Sequence, residues 1–190
     1  MTLPLEGIRV VEMTQVLAGP FSAMMLADQG ADVTKIEPLD GDSARELLPN
    51  YPGSNGLSLG FLTFNRNKRS IVIDMSHPKG LELTYDILRD ADVLLMAMRT
   101  GTRKRRGLDY EKVSAINPRL IYASITGFGN LGPDSDQPGL DMVVQGRVGD
   151  IMSRQYPNMP PPGDTNLYHF DMATAMLTVY SIMLALRDRD

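Results

Sequence analysis

An aspartate, Asp171, stands between the aromatic segment 167–170 and the apolar run of residues 172–180. Such a junction is typical of a helix start, and on position alone Asp171 is best interpreted as an N-cap that accepts the free amides of the first turn. The same amides favour an ionised carboxylate and stabilise a neighbouring oxyanion, so a second interpretation makes Asp171 a nucleophile toward an activated acyl group. His169 is either a general base or a packed or exposed histidine at the end of a strand.

Two clusters of basic residues offer cations for a phosphate-bearing ligand. Residues 66–69 precede a predicted strand, whereas residues 103–106 lie beyond the carboxyl end of another. Ligands of open α/β sheets bind beyond the carboxyl ends of the strands, so the second cluster is the better placed. A solvated charged face is the alternative for either cluster.

Several classes of site lack the residues that they require. The chain has no cysteine and only two histidines, His77 and His169, which excludes thiolate chemistry and disfavours any metal site. The turn at residues 16–20 takes the place of a Rossmann phosphate loop but has no Gly-x-Gly-x-x-Gly, and Pro20 removes an amide that such a loop would use. Classical NAD or FAD binding is therefore disfavoured, although Ala18 and Gly19 still permit close approach of another ligand.

Alternating strands and helices must position these residues. We predict strands at residues 8–13, 32–36, 70–73, 93–96 and 120–124. We predict helices at residues 21–29 (with Pro20 in the first turn), 57–64, 78–88, 110–116, 139–146 and 171 to about 187, and an irregular surface segment at residues 152–164. Several strands are continuous apolar runs, which indicates a parallel sheet covered on both faces. The sequence predicts an α/β fold with a Rossmann-like, doubly wound, mostly parallel sheet.

Composition is that of a soluble globular domain, with 43% hydrophobic and 22% charged residues in a chain of 190. A net charge of −4 argues against general nucleic-acid binding. The sequence has no apolar run of about 20 residues and no signal-peptide pattern at its start. We therefore expect a cytoplasmic protein without a membrane partner.

Many short segments, in order along nearly the whole chain, resemble the class III CoA-transferase family, which includes formyl-CoA transferase, carnitine CoA-transferases and α-methylacyl-CoA racemase. The matching segments are residues 4–10, 16–20, 26–37, 41–45, 67–74, 116–122, 124–129, 132–133, 138–141 and Gln145. The resemblance implies that residues 1–190 form an N-terminal CoA-binding α/β domain, part of a longer two-domain fold. It also implies an interlocked homodimer of the full-length protein.

The resemblance implies catalytic roles for two aspartates. Asp171 matches the family's nucleophile, which attacks an acyl-CoA thioester and then carries CoA as an aspartyl thioester before a carboxylic acid acceptor takes it over. Asp141 matches an acidic position that supports the nucleophile. The positions that match the surroundings of coenzyme A, the substrate, are Leu17, Ala18, Ile73, Met75, Ser76, Ala97, Arg99 and Arg105. No covalently bound cofactor is implied.

One position favours transfer over racemisation. Family racemases carry a histidine just before the aspartate of the Gly-x-Asp segment, and this chain has Leu140 there, which moves no proton. An acyl-CoA racemase-type activity is therefore the weaker alternative. A CoA-binding module without turnover is another, because residues 95–98 replace the family's Val-Glu-Asn-Phe with apolar side chains.

The last predicted helix is apolar almost to its end, and family members continue beyond it into a second domain. We expect its apolar face to need a cover and the isolated chain to be inactive.

Overall fold

Five parallel strands form one sheet in the computed structural model, which describes residues 2–47, 49–50, 52–160 and 168–190. The strands are β1 (Arg9–Met13), β2 (Asp32–Glu37), β3 (Lys68–Val72), β4 (Val93–Met96) and β5 (Ile121–Ser124). Their order is β3-β2-β1-β4-β5, and each neighbouring pair is parallel. The Rossmann-like, doubly wound sheet predicted from the sequence is confirmed.

Helices occupy most of the connections between the strands. In the described residues they are α1 (Ala18–Asp28), α2 (Ala44–Leu47), α3 (Leu59–Phe64), α4 (Pro78–Arg89), α5 (Thr100–Arg105), α6 (Tyr110–Ile116), α7 (Asp141–Arg147), α8 (Asp150–Ser153) and α9 (His169–Arg189). Local signals fix several starts. The His77 side chain accepts the amide of Lys79 before Pro78 opens α4, and Asp109 accepts the amide of Lys112 at the start of α6.

The middle of the sheet is buried on both faces, which explains why β4, the strand between β1 and β5, is apolar throughout. On one face, Leu94 and Met96 pack with Leu88 of α4 and Val113 of α6. On the other face, the core combines residues of β1, β2 and β4 with α1 and α9. Its buried members are Leu5, Val10, Ala23, Leu26, Ala27, Ala31, Val33, Val93, Leu95, Ile182 and Leu186.

Three details differ from the sequence prediction. The helices α2 and α5 were not predicted, and α8 occupies part of the segment predicted to be irregular; residues 161–164 of that segment lie outside the described residues. The last helix begins at His169, so Asp171 lies inside its first turn and is not its N-cap. The reason is tertiary, because a carboxylate from another helix binds the amide of Asp171.

Helix α9 packs along α1, where the Ser22 hydroxyl lies 3.4 Å from the Ala175 carbonyl oxygen. Ile182 and Leu186 are buried, whereas Leu177 and Tyr180 are 65% and 62% exposed. By length and composition, α9 is the one helix within the described ranges that is apolar enough to cross a membrane. Core helices share that composition, and α9 contributes to the core described above.

Candidate active site

A cavity of about 630 Å³ lies at the carboxyl ends of β1 and β4. This is where the chain reverses direction across the sheet, because α1 leads from β1 to β2 and α6 leads from β4 to β5. Ligands of doubly wound sheets bind at such a switch point. The cavity is lined by loop residues that follow β1, β4 and β5, and by the starts of α7 and α9.

The two predicted catalytic aspartates both line this cavity and lie in contact. Asp141 opens α7 and is 5% exposed. Its Oδ2 accepts the backbone amide of Asp171 at 2.8 Å. An amide in the first turn of a helix has no partner within that helix, so Asp141 takes the place of an N-cap for α9. The contact fixes the two helix starts against each other.

The carboxylate of Asp171 is half-buried, and no described residue donates a hydrogen bond to it. Burial, together with the nearby Asp141 charge, raises the pKa of Asp171 to about 6. A carboxylate without donors keeps its lone pairs accessible, and at neutral pH it is mostly ionised. Among the described residues none pairs with this carboxylate, which leaves its oxygen atoms open for attack on an acyl carbon.

A series of hydrogen bonds and ion pairs links Asp141 to further side chains. Its Oδ1 accepts from the Gln145 amide, and Gln145 Oε1 in turn accepts from Arg154 Nη2 at 2.7 Å. Arg154 Nη2 also lies 2.6 Å from Asp150 Oδ2, and His169 Nε2 lies 3.3 Å from that same oxygen. His169 thus contacts Asp150, the last member of this series, and does not line the cavity.

Two glycines allow the loop after β5 to reach the start of α7. A Cβ atom built on Gly127 would lie 2.3 Å from the Gly139 Cα, and one built on Gly139 would lie 2.2 Å from the Gly127 Cα. Any side chain at either position would push the two backbones apart. This contact places Asp141 two residues further on, at the edge of the cavity.

Five of the eight residues predicted to surround CoA line the cavity: Leu17, Ala18, Met75, Ala97 and Arg99. Three do not. Ile73 is buried in the core, Ser76 is exposed and donates to Asp74, and the exposed Arg105 donates to Thr102.

The basic cluster at residues 103–106 divides into different roles. Arg103 is 5% exposed and donates to Ser124, Thr100 and Asn130, so it fastens α5 to the sheet edge. Arg106 lines the cavity together with Arg99. Arg106 belongs to the basic cluster that the sequence places beyond β4, whereas the family resemblance pointed to Arg105 of the same cluster.

The residues of the other cluster, 66–69, bind carboxylate groups of the protein itself. Arg66 and Asn67 bind Asp28, and Arg69 binds Asp32. Lys68 reaches a buried glutamate. These residues stabilise the sheet edge, and none of them lines the cavity.

Comparison with known proteins agrees with this geometry. A model of CoA-transferase family III matches residues 5–190. The chain belongs to CoA-transferase family III. Among the described residues of this family member, no cluster of three or more His, Asp or Glu side chains is arranged to hold a metal ion.

Several named relatives are CoA-transferases. The chain is 41% identical over 188 residues to a succinate–glutarate CoA-transferase of Agrobacterium fabrum, with 96% of this chain and 47% of the relative covered. It is 38% identical over 192 residues to the beta subunit of a succinyl-CoA–L-malate CoA-transferase of Chloroflexus aurantiacus, with 100% and 46% covered.

The fold comparison gives the same family. A CAIB/BAIF family protein of Brucella suis superimposes with a TM-score of 0.90 at 38% identity, covering 100% of this chain and 50% of that one. The chain spans about half the length of the relatives that it matches.

Proposed function

We propose that the protein is a class III acyl-CoA:carboxylate CoA-transferase with Asp171 as its nucleophile. The observation that carries the proposal is the Asp171 carboxylate, which lines the switch-point cavity without a hydrogen-bond donor among the described residues. Family membership supplies the reaction class, and this carboxylate supplies the group that the reaction needs.

In the first half of the reaction, an oxygen of Asp171 attacks the thioester carbonyl carbon of the acyl-CoA. The carbon–sulfur bond breaks, CoA leaves as a thiolate, and a mixed anhydride remains on Asp171. The thiolate then attacks the Asp171 carbonyl carbon and releases the donor as a free carboxylate. The product is an aspartyl-CoA thioester.

In the second half, the acceptor carboxylate attacks the aspartyl-CoA carbonyl and expels the thiolate again. The thiolate attacks the acceptor acyl carbon of the new anhydride, which yields the new acyl-CoA and restores the Asp171 carboxylate. Each step exchanges one activated acyl bond for another of similar energy, so ATP is not required. The starts of α7 and α9 place two positive helix ends beside the charges that develop.

Coenzyme A would enter from the side where Arg99 and Arg106 line the cavity. Guanidinium groups bind phosphates through paired hydrogen bonds, and neither arginine has a carboxylate partner among the described residues. Leu17 and Ala18 line the same cavity as these arginines and Asp171, so we propose that the pantetheine arm passes beside them.

The named relatives act on succinate, glutarate and malate, so we propose a dicarboxylic acid as donor and acceptor. The first assay is therefore CoA transfer from succinyl-CoA to glutarate, with the protein expressed from its complete gene. We expect Asp171→Ala to abolish transfer, whereas Asp86→Asn, a change on the surface of α4, leaves it unchanged. Full transfer by Asp171→Ala would contradict the proposal.

The two alternatives have their own readouts. The apolar wall formed by Ala97 and Met98 motivates a module that binds CoA without turnover. Calorimetric CoA binding without transfer in the protein from the complete gene would favour it. Exchange of the substrate α-proton in deuterated water would favour a racemase-type activity, which Leu140 argues against.

Residues 1–190 form the CoA-binding domain in this proposal. We also propose that the full-length protein is a cytoplasmic, interlocked homodimer. Light scattering after gel filtration would test the dimer, since a monomer that transfers CoA would contradict it.

A further inference from the structure

Four titratable side chains, two basic and two acidic, lie buried beneath the β1–α1 loop. They are Glu12 of β1, Lys35 of β2, Asp42 in the turn after β2, and Lys68 of β3, and their side chains are 0–2% exposed. Lys35 Nζ lies 2.9 Å from Glu12 Oε1 and from Asp42 Oδ2, while Lys68 Nζ lies 2.8 Å from Glu12 Oε2. Two cations thus balance two anions.

Three members of this cluster bind the backbone of the loop or of the first turn of α1. Lys35 Nζ donates to the Thr14 carbonyl at 2.8 Å, and Lys68 Nζ donates to the Pro20 carbonyl at 2.9 Å. Between them, the Val16 amide donates to Asp42 Oδ1 at 3.1 Å. The cluster therefore holds the loop at its beginning and middle, and holds the first turn of α1 that follows it.

The middle contact holds a strained residue. Val16 has a φ of 68°, in the left-handed region that a β-branched side chain rarely adopts. Strain of this kind persists only when the surroundings enforce it. Residues on both sides of Val16 line the cavity, as does Val16 itself, so the conformation of this residue shapes the cavity wall.

The two lysines of the cluster differ in how well their surroundings stabilise the positive charge. Burial by itself lowers the pKa of Lys35, but Glu12 and Asp42 outweigh burial and raise the pKa above its usual value. Burial outweighs the neighbouring carboxylate at Lys68, whose pKa is lowered to about 8, so it is still mostly charged at neutral pH. Removing one member of a buried ion pair leaves its partner unpaired, which makes the arrangement strongly preferred.

We propose that Asp42, oriented by Lys35, is a positioning residue that clamps Val16 in its left-handed conformation and so shapes the acyl-CoA cavity. The identity of the ligand rests on the proposed function, whereas the clamp rests on the contacts above. Asp42 does not line the cavity; besides the Val16 amide, its carboxylate binds Lys35 and the Ala44 amide.

A double-mutant cycle with the protein from its complete gene tests the clamp. Asp42→Asn should weaken CoA binding, measured by calorimetry, about tenfold, which corresponds to about 1.4 kcal/mol, because the uncharged amide loses the ion pair with Lys35 that orients it toward Val16. In a Val16→Gly background, Asp42→Asn should change the affinity less than about threefold, because glycine adopts positive φ without a clamp. Equal losses in both backgrounds, or no loss at all, would overturn the proposal.

Ser70→Ala is the matched control. Ser70 lies on β3 two residues after Lys68 and donates to another buried glutamate, Glu37, but it does not contact the loop. We expect the CoA affinity of Ser70→Ala to stay within about twofold of that of the unsubstituted protein, because the lost hydrogen bond does not involve the loop. A loss as large as that of Asp42→Asn would overturn the loop-specific role.

Hydrogen exchange tests the clamp without CoA. In the free protein, the Val16 amide should exchange as slowly as the amides of β1, and Asp42→Asn should accelerate it while Ser70→Ala does not. Fast exchange in the unsubstituted protein would overturn the clamp, and this readout applies even when Asp42→Asn fails to fold. Absence of CoA binding together with a protected Val16 amide would contradict the proposed function and support the clamp.

Discussion

Asp171 combines two influences that both oppose its ionised form. Burial and the Asp141 carboxylate raise its pKa to about 6. Because the folded-state pKa is raised, protonated Asp171 favours folding at low pH, and this contribution is lost as the pH rises through about 6. The ionised form that the proposed reaction needs therefore carries an energetic cost, which formation of an uncharged anhydride or thioester removes.

Replacement of the neighbouring charge gives a prediction for the pH dependence. With Asp141→Asn, the pKa of Asp171 should fall, since one of its two causes is removed. The acid limb of kcat/KM for acyl-CoA, which we expect near pH 6 in the unsubstituted protein, should move down by up to about one pH unit. A pH–rate profile measures it, with Asp86→Asn as a distant carboxylate control. If the acid limb does not move, the limb does not report the titration of Asp171, and the prediction is wrong.

Some site residues are visible in the sequence and others are not. Asp171 stands out because it is a charged residue at the junction between an aromatic segment and an apolar run. Asp141 is found only through the family resemblance, because no local pattern shows that residues thirty positions apart meet. Arg106 belongs to a run of four basic residues, and only the orientation of α5 separates it from the buried Arg103 and the outward Arg105.

At the scale of elements, strong local patterns predict boundaries well. The predicted bounds of β4 and α6 are those of the structure, because an apolar run and an aspartate cap mark them. Helix α5 was missed, since Thr100, Gly101 and Thr102 are poor helix formers and the basic run after them has no apolar period. The start of α9 depends on a tertiary contact with Asp141, which no local signal contains.

Helix α9 gives a prediction for packing. Ile182 is 1% exposed in the core between α9 and the sheet, so Ile182→Ala should lower the free energy of unfolding by about 2–4 kcal/mol. Leu177 is 65% exposed on the opposite side, and Leu177→Ala should change it by less than about 0.5 kcal/mol in the 190-residue chain. Denaturant titration compares the two. Equal effects would mean that α9 packs through another face.

At the scale of the whole molecule, buried carboxylates govern stability in acid. Burial by itself raises the pKa of Glu37, but hydrogen bonds from Arg45, Ser70 and the Asp42 amide outweigh it and lower the pKa to about 2. A lowered folded-state pKa contributes stability above the ordinary value of 4.5, and this contribution is lost as the pH falls toward 2. Asp171 has the opposite sign, so the two groups act in adjacent pH ranges.

Glu37→Gln tests this account. Removing the charge should lower the free energy of unfolding at neutral pH by up to about 3.5 kcal/mol, since the pKa of about 2 lies about 2.5 below 4.5 and one pKa unit corresponds to about 1.4 kcal/mol. The variant should also lose much of the steep decline in stability between pH 4.5 and 2 that we expect for the unsubstituted protein. Chemical denaturation across this range measures it, and the exposed Glu46→Gln serves as control. An unchanged acid slope would contradict the assignment.

The central claim is that Asp171 carries the acyl group and then CoA. Its most direct test is to incubate the protein from its complete gene with succinyl-CoA, add hydroxylamine, and locate the product by peptide mass spectrometry. We predict a hydroxamate on Asp171 that forms only when succinyl-CoA is present. Transfer of CoA without modification of Asp171, or with the hydroxamate on a different carboxylate, would contradict the claim.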